Sequence, residues 1–524
     1  MKQLNRILGL LIILAQLLLI TADSAFAQNN GSWQWATQPI IPSCGGACPR
    51  PLLLSDKINP DKFYLVVQNS LCKYNDNGIQ VWQKSITNIK SAESNGQGYL
   101  YLAAGDSLFK LDGDGNELWR IPIGLDIKSI CTDNVGNIFL AGNFSGTITV
   151  GTTSLSTQGS QINYPDVDIF FIKINPNGNI LWAKNLSLPN GIGFDNVSHI
   201  TCDINGNIYV TGQDLNVVST EYECFIIKCN NDGLVEFNKI FTSDYGSAGT
   251  SIAIGSDMSI LLCGYFSGSN PIGTTLTCDN ISLFNDDGGA DMFLIKFAPN
   301  GSILWARSAG ESAIAYGVAV NTNNEVFVTG RYIDWYFYSG ANTLQSVHMN
   351  APFYNHNFFM LKYSSTGEPV IAIGAGTTDI FTEADGYTVK TLVNNKIIVA
   401  GTFEDDIILG PTTLYANESS SARIFLGAVS SSLNAIEANE ERRDVLIYPN
   451  PNAGEFQLKL TGRNNADFTI QIYTVDGRLI LEKKFSGNGI NKLDFDLNYL
   501  STGSYLLKYS DENSSIFKKL NISK

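Results

Sequence analysis

Short runs of apolar residues alternate along most of this chain with turns built from Gly, Asn, Asp and Pro, and the periodicity within the runs is that of strands rather than helices. One motif recurs as KYNDNGIQVW from Lys73, KLDGDGNELW from Lys110, KINPNGNILW from Lys173 and KFAPNGSILW from Lys296, with weaker copies KCNNDGLVEF from Lys228 and KYSSTGEPVI from Lys362. In each, an apolar strand ends near Lys, a turn follows, and a second strand carries Trp or another large apolar residue. The Gly stands at one offset in every copy, where a tight hairpin needs positive φ. A second motif lies between the copies: GNIFLAG ending at Gly142, GNIYVTG at Gly212, MSILLCG at Gly264, NEVFVTG at Gly330 and NKIIVAG at Gly401, with GYLYLAA ending at Ala104. A further apolar stretch such as GVAVN, from Gly317, precedes each one. One unit is therefore four short strands.

Four-stranded units repeating every roughly forty to seventy residues predict a β-propeller, in which each sheet buries both faces against its neighbours around an axis. With strands A to D counted from the axis outward, the sixth unit reads Tyr316–Asn321, Glu325–Thr329, Phe358–Tyr363 and Pro369–Ala375. The Lys motifs together with a further C strand at Ile424–Val429 make seven blades. The seventh has no D strand after it, because the chain runs into the polar stretch SSSLNAIEANEERR. NGSWQWAT, from Asn30, matches NGSILWAR, from Asn300, with Trp35 falling on Trp305. The N-terminal strand is thus expected to complete the last blade, closing the ring and removing an exposed edge.

Composition agrees with an all-β chain of more than one domain. The chain has 524 residues, of which 44% are apolar and 16% charged, with Gly 48, Tyr 22 and Phe 28 against Met 5. Its formal charge of -15 argues against a nucleic-acid partner, since binding through phosphates needs a basic surface.

Residues 1–27 read as a signal peptide: Lys2 and Arg6 lead an apolar run from Ile7 to Ile20, and Ala25-Phe26-Ala27 is a small-x-small cleavage site. No later run approaches the ~18 apolar residues of a membrane-spanning helix, so no transmembrane segment is expected in the mature chain. In an exported chain, Cys44 and Cys48 of SCGGACP form a candidate disulfide. Cys131, Cys202, Cys224, Cys229 and Cys263 sit singly in apolar runs and read as buried small hydrophobes.

After the linker 435–444 the pattern changes. LIYPNPNAGEFQLKL, FTIQIYTVDGRLILEKKF, NKLDFDLNYLSTGSYLLKYS and SIFKKLNISK alternate apolar and polar residues between Gly/Asn turns, which predicts a small Ig-like antiparallel β-sandwich over 445–524. Pro449, Asn450 and Pro451, then Gly454, Asp476-Gly477-Arg478, Gly503 and Tyr505, and finally Lys518 and Lys519 are similar in order to the C-terminal sorting domain of Bacteroidota type IX secretion cargo. That resemblance implies a partner, the type IX secretion machinery. It also implies a location, secreted or on the outer-membrane surface after Sec export to the periplasm. Within the propeller expected over 28–434, GNIYVTG and DMFLIKFAPNGSILWAR resemble the bacterial β-propeller repeat of secreted and surface proteins, a resemblance that covers Ser32 to about Val429, while blades 1 and 2 are closer to quinoprotein-type repeats. A propeller resemblance implies a fold and not a ligand.

Sites of chemistry are sparse. The chain has three histidines, His199, His348 and His356, and no HExxH, GxSxG or phosphate-cradling loop. His199 falls in an inner strand and reads as a satisfied core residue. Asp112, Asp114 and Asn116 alternate oxygen ligands as a calcium loop begins, but no carboxylate stands at the twelfth position, and the same string makes a good hairpin turn. No other cofactor is indicated. The B–C connections are short in blades 1, 2 and 4 and long in blades 3, 5, 6 and 7, at about 143–167, 266–290, 331–357 and 402–422, and all of them project from one face of a propeller. In the blade 6 loop, Trp335, Tyr336, Tyr338 and Tyr354 beside Asp334 and His356 combine flat stacking surfaces with hydrogen-bonding groups, as sugar recognition requires; the same alternation would also suit a hairpin packed on blade 6. Three functions fit this pattern: a binding or adhesion protein for a glycan or protein, an enzyme acting on polysaccharide through two carboxylates converging on the axis, and a structural envelope component.

Overall fold

The computed structural model describes residues 33–39, 50–157, 167–186, 195–216, 219–268, 274–279, 281–285, 289–310, 312–333, 336–339, 342–345, 356–375, 383–416, 422–430, 444–448, 453–461, 467–474, 478–486, 492–511, 515–522 and 524. The signal segment, residues 435–443 of the linker and the pair Cys44 and Cys48 lie outside the described residues, while Asp444 opens a strand. Regular structure among them is entirely β. The chain divides into two compact units, Met1–Leu433 and Asn434–Lys524.

The larger unit contains seven four-stranded antiparallel sheets that follow one another along the chain. Their inner strands are Leu52–Ser55, Ile89–Ser94, Ile127–Thr132, Asn196–Cys202, Ser247–Ile254, Ala313–Val320 and Ala384–Thr391, and they number the sheets 1 to 7 here. Consecutive inner strands touch all the way round, that of sheet 7 meeting that of sheet 1. This cyclic order is a propeller arrangement. Each gap between neighbouring sheets holds its own apolar cluster, such as Tyr101, Leu108, Ile130, Leu140, Phe170 and Ile172 between sheets 2 and 3. Strands buried on both faces read as continuous apolar runs, which is why Asp168–Ile174 is buried at every position.

The Lys-turn-Gly-Trp motif proves to be a latch between sheets. Lys73 donates to the carbonyl of Gly113 at 2.9 Å, Lys110 to Pro176 at 3.0 Å, Lys173 to Asn231 at 3.1 Å, Lys228 to Pro299 at 3.1 Å and Lys296 to Ser365 at 3.3 Å. Each ammonium reaches the hairpin turn of the next sheet, so a buried cation and a turn carbonyl satisfy each other. The motif glycine of that turn lies under the large side chain of the preceding sheet's outer strand. Gly367 has φ +84, and a Cβ there would stand 2.6 Å from Trp305. The motif's Gly therefore serves both the turn and the approach of the aromatic ring.

Ring closure follows the same rule. Trp33–Thr37 pairs antiparallel with Arg423–Val429 as the outer strand of sheet 7, with Trp35 opposite Ala428 and Trp33 opposite Val429. Trp33 is 6% exposed, packed on Phe358 and against Gly427. Trp35 is half-buried; it stacks on Phe63 of sheet 1 and donates its indole N–H to Asp76 at 2.8 Å.

Cys131 and Cys202 are joined in a disulfide, which corrects their reading as lone buried hydrophobes. The physical reason is the pleat. In the A–B turns ICTDNVGN and TCDINGN, Asp133 and Asp203 are equivalent, so the two cysteines stand one position apart in the repeat, and adjacent strand positions face opposite sides of a sheet. One therefore points out of sheet 3 and the other out of sheet 4 into their common gap. Cys224, Cys229 and Cys263 are free and buried, as expected.

The smaller unit has a three-stranded sheet, Asp444–Tyr448, Glu455–Thr461 and Lys492–Asp496, and a four-stranded sheet ordered Leu479–Phe485, Phe468–Thr474, Gly503–Asp511, Ser515–Ile522. Side chains from both sheets, among them Leu458, Phe495, Ile470 and Leu507, form one core.

Candidate functional site

The axis of the larger unit is lined by residues that one irregularity turns inward. Near the start of the inner strand in sheets 2 to 7, pairing with the second strand slips by one residue: between Ile89 and Ser91, Ile127 and Ser129, Val197 and His199, Gly249 and Ser251, Ala315 and Gly317, and Gly386 and Thr388. A β-bulge leaves its extra residue unpaired and re-aims its side chain. The extra residues are Lys90, Lys128, Ser198, Thr250, Tyr316 and Tyr387, and with Arg50 all of them line one axial cavity of about 200 Å³. Room for each bulge in sheets 3 to 7 comes from the glycine that ends the second sequence motif. A Cβ on Gly264 would lie 2.0 Å from the carbonyl of Ala248 and 2.6 Å from Phe293. The sequence displayed that glycine plainly, but its purpose, opposite a residue some fifteen positions earlier, depends on strand register.

The wall is chemically lopsided. Tyr316 and Tyr387 stand with ring centroids 5.0 Å apart, and the Arg50 guanidinium lies 4.7 and 5.1 Å from the two rings. Lys90 and Lys128 share one carboxylate, Asp126, at 2.9 and 2.7 Å. His199 also lines the cavity; its Nδ1 accepts the N–H of Ile252 at 3.2 Å, and burial pushes the imidazole down to about 3, so the ring is neutral.

A second cluster adjoins Tyr387 between sheets 6 and 7. His356 Nδ1 lies 3.2 Å from Glu383 and 3.5 Å from Asp385, with Arg331 Nη1 at 2.7 Å. Tyr387 donates its hydroxyl to Asp385 at 2.8 Å. These three ligand-type residues lie close enough together to hold a cation, but the Arg331 guanidinium already brings positive charge to the same imidazole nitrogen. Burial alone pushes His356 down; hydrogen bonds to Asp385 and Glu383 outweigh it, and the net direction is up from 6.5. For Asp385, burial pushes up, the bond to and charge of His356, the Tyr387 hydroxyl and the charge of Arg331 together outweigh it, and the net direction is down from 3.8. A raised histidine stabilises the fold below its unfolded value and ceases to do so as pH rises through its folded value; a lowered aspartate acts above its unfolded value and fails as pH falls through its folded one. The ion pair is therefore strongest between about pH 4 and 6.5. His356→Gln is expected to lower the melting temperature relative to the parent more at pH 5.5 than at pH 8.5, and an equal loss at both would show that the imidazole charge contributes nothing.

Of the sequence-predicted ligand residues, Asp334, Trp335 and Tyr354 lie outside the described residues. Tyr336 and Tyr338 occupy alternate positions of Tyr336–Ser339, which pairs with Asn342–Gln345 as a hairpin. That hairpin touches the outer strands Ile303–Ala309 and Pro369–Ala375 of sheets 5 and 6. The other three long B–C connections also carry hairpins: Thr147–Val150 with Thr153–Ser156, Thr274–Cys278 with Ile281–Asn285, and Ile407–Leu409 with Thr412–Leu414. His356 belongs instead to the inner cluster. Sequence spacing could not find its partners, because Glu383 and Asp385 start the next repeat and Arg331 ends an earlier strand.

At the proposed calcium loop, Asp112 accepts the N–H groups of Asp114 at 2.9 Å and Asn116 at 2.8 Å, and the Asn116 amide at 3.0 Å. Asn75 and Asn175 do the same in sister turns. In the smaller unit, Gly454 adopts φ +116 against Asn498, and Tyr505 donates to Ser501 at 2.9 Å. Arg478 closes a turn with Thr474, and Lys518 and Lys519 lie on the last strand, opposite Leu507 and Leu506. Pro449, Asn450, Pro451, Asp476 and Gly477 lie outside the described residues.

Residues 446–523 match the family described as Secretion system C-terminal sorting domain. The chain is thus a propeller protein with a type IX secretion sorting domain at its C-terminal end. Over 390 residues it is 24% identical to an uncharacterized WD repeat-containing protein of Acanthamoeba polyphaga mimivirus, covering 66% of this chain and 26% of that protein, so it spans about a quarter of the length of that relative. Among solved structures, the Pan2 WD40 domain of Neurospora crassa aligns with a TM-score of 0.43 at 9% identity, over 76% of this chain and 94% of that one. PorZ, a bacterial surface component of the type IX secretion system of Porphyromonas gingivalis, aligns with a TM-score of 0.26 at 12% identity, over 91% and 70%. The sorting domain implies export to the cell surface or beyond, and among the described residues no helix is long and apolar enough to cross a membrane.

Proposed function

We propose that this chain is a secreted or cell-surface binding protein of a Bacteroidota species: a seven-bladed propeller over 28–434 and an Ig-like sandwich over 445–524. In this reading the signal peptide 1–27 directs Sec export, the type IX machinery carries the chain across the outer membrane, and the B–C face recognises a glycan or a protein. The observation that supports it best is the wall of Arg50, Lys90, Lys128, Tyr316 and Tyr387, the last four re-aimed by bulges in sheets 2, 3, 6 and 7. A merely structural repeat has no need of such a wall. In this reading Asp334, Trp335, Tyr336, Tyr338 and Tyr354 of the blade 6 loop add off-axis contacts to the ligand, and His356 acts from the inner cluster beside Asp385. Trp335→Ala and Tyr338→Ala are expected to weaken binding to cells or glycan arrays tenfold or more, since aromatic anchors often carry ~2 kcal/mol. Their melting temperatures should be unchanged. Loss of melting temperature without loss of binding would make them packing residues.

One observation favours an enzyme acting on polysaccharide. Partial burial and the charge of Glu383 push Glu404 up while Asp385 is held down, and carboxylates with opposed shifts can divide acid and base roles. Release of reducing sugar from a plant or algal polysaccharide, abolished by Glu404→Gln, would establish that reading.

A further inference from the structure

We propose that the axial cavity binds the acidic end of a saccharide, one carrying a carboxylate or a sulfate, with Arg50, Lys90 and Lys128 holding the anion. The inference rests on the binding-protein reading and adds its ligand class.

Charge is the first argument. In a chain of formal charge -15, Arg50, Lys57, Lys90, Lys128 and Lys390 gather in or beside one cavity against two carboxylates, Glu93 and Asp126. Asp385, near the tyrosines, is engaged by His356 and Tyr387. Asp126 is shared by two lysines, and Glu93 is paired to Lys57 at 3.3 Å. Lys390 makes no hydrogen bond or ion pair among the described residues, although burial pushes it below its ordinary value. Partial burial is costly to an ammonium even with the charge of Glu93 acting on it, and an anion relieves that cost.

Geometry is the second. Tyr316 and Tyr387 hold the Arg50 guanidinium by cation-π contact, and its N–H groups make no hydrogen bond among the described residues. A guanidinium fixed by its face presents its donor fork to a planar carboxylate or a sulfate, at reduced entropic cost. Lys90 and Lys128 reach the cavity because two bulges aim them there. The third argument is the remaining wall. Ser91, Ser198, Ser251 and Thr388 offer neutral hydroxyls, which suit a polyol better than an alkyl acid. A cavity of about 200 Å³ is below the ~300–1,000 Å³ of pockets for drug-sized ligands, so it takes one ring or a chain end.

The test is calorimetric titration of the full chain lacking residues 1–27, with trigalacturonate, a sulfated disaccharide from chondroitin, neutral galactotriose, and acetate or inorganic sulfate alone. At least one acidic saccharide is expected to bind tenfold or more tighter than galactotriose, with affinity falling as salt rises, and the tighter of the two identifies the anion. The double variant Lys90→Gln/Lys128→Gln should lose tenfold or more of that affinity and much of the salt dependence; should it fail to fold, Arg50→Gln carries the same expectation. Equal binding of acidic and neutral sugars, or unchanged affinity in these variants, overturns the proposal. Absence of any saccharide binding, while Tyr338→Ala still abolishes attachment to cells, overturns the axial site and leaves the binding-protein reading standing.

Discussion

Replacing Trp33 by Ala is expected to cost about 3–5 kcal/mol and to lower the midpoint of urea unfolding, because a nearly inaccessible indole leaves a cavity that its surroundings only partly fill. Trp33 packs with Phe358, Phe425 and Leu409 in the gap between sheets 6 and 7. Its strand is also the fourth strand of sheet 7, so the loss falls where the two ends of the ring meet. Trp35→Ala should cost less, about 2 kcal/mol, since that ring is half-buried and contributes one hydrogen bond and one stacked contact across the closure. The order matters: sequence alignment with Trp305 singles out Trp35 as the principal anchor, whereas the structure buries its neighbour two positions earlier. A larger loss for Trp35→Ala than for Trp33→Ala would mean that closure depends on the latch to sheet 1 rather than on the core of sheet 7.

Deletion of residues 445–524 is expected to abolish delivery to the cell surface and leave a folded propeller in the periplasm. The two units have separate apolar cores: the C-terminal one is formed by residues from Phe456 to Ile522, and none of the clusters between sheets 1 to 7 includes any of them. Removing the smaller unit therefore leaves every described apolar cluster of the larger complete. Circular dichroism and protease resistance of the periplasmic fraction, with surface labelling of cells, would measure both halves of the expectation. Normal surface labelling of the truncated chain would refute the sorting assignment, and a degraded propeller would show that the smaller unit is needed for folding.

The strands, their grouping in fours and the swap of Trp33–Thr37 into the last sheet were legible because they depend on local periodicity and on repetition of whole motifs. Repeated turns with one Gly offset announce repeated geometry. The disulfide was not legible: Cys131 and Cys202 are 71 positions apart, and only the pleat and the pairing of consecutive sheets put them face to face. The candidate site divides in the same way. The aromatic loop around Tyr336 and Tyr338 stood out by composition, while the bulge position is filled by Lys, Ser, Thr or Tyr from sheet to sheet, so Lys90, Lys128, Tyr316 and Tyr387 gave no repeated signal.

The amino-acid sequence by itself determined the all-β class, the repeated unit, the closing strand and the sorting domain, since each is encoded in residues near one another or in a motif that recurs. Tertiary structure alone decided which side chains meet at the axis. A one-residue slip in register changes which way a side chain points. The slip at Tyr316 depends on Gly330, and that at Tyr387 on Gly401, in strands that pair only after the hairpin forms. The identity of a neighbour across the cavity depends further on closure of the ring, a property of the whole chain that no local stretch carries.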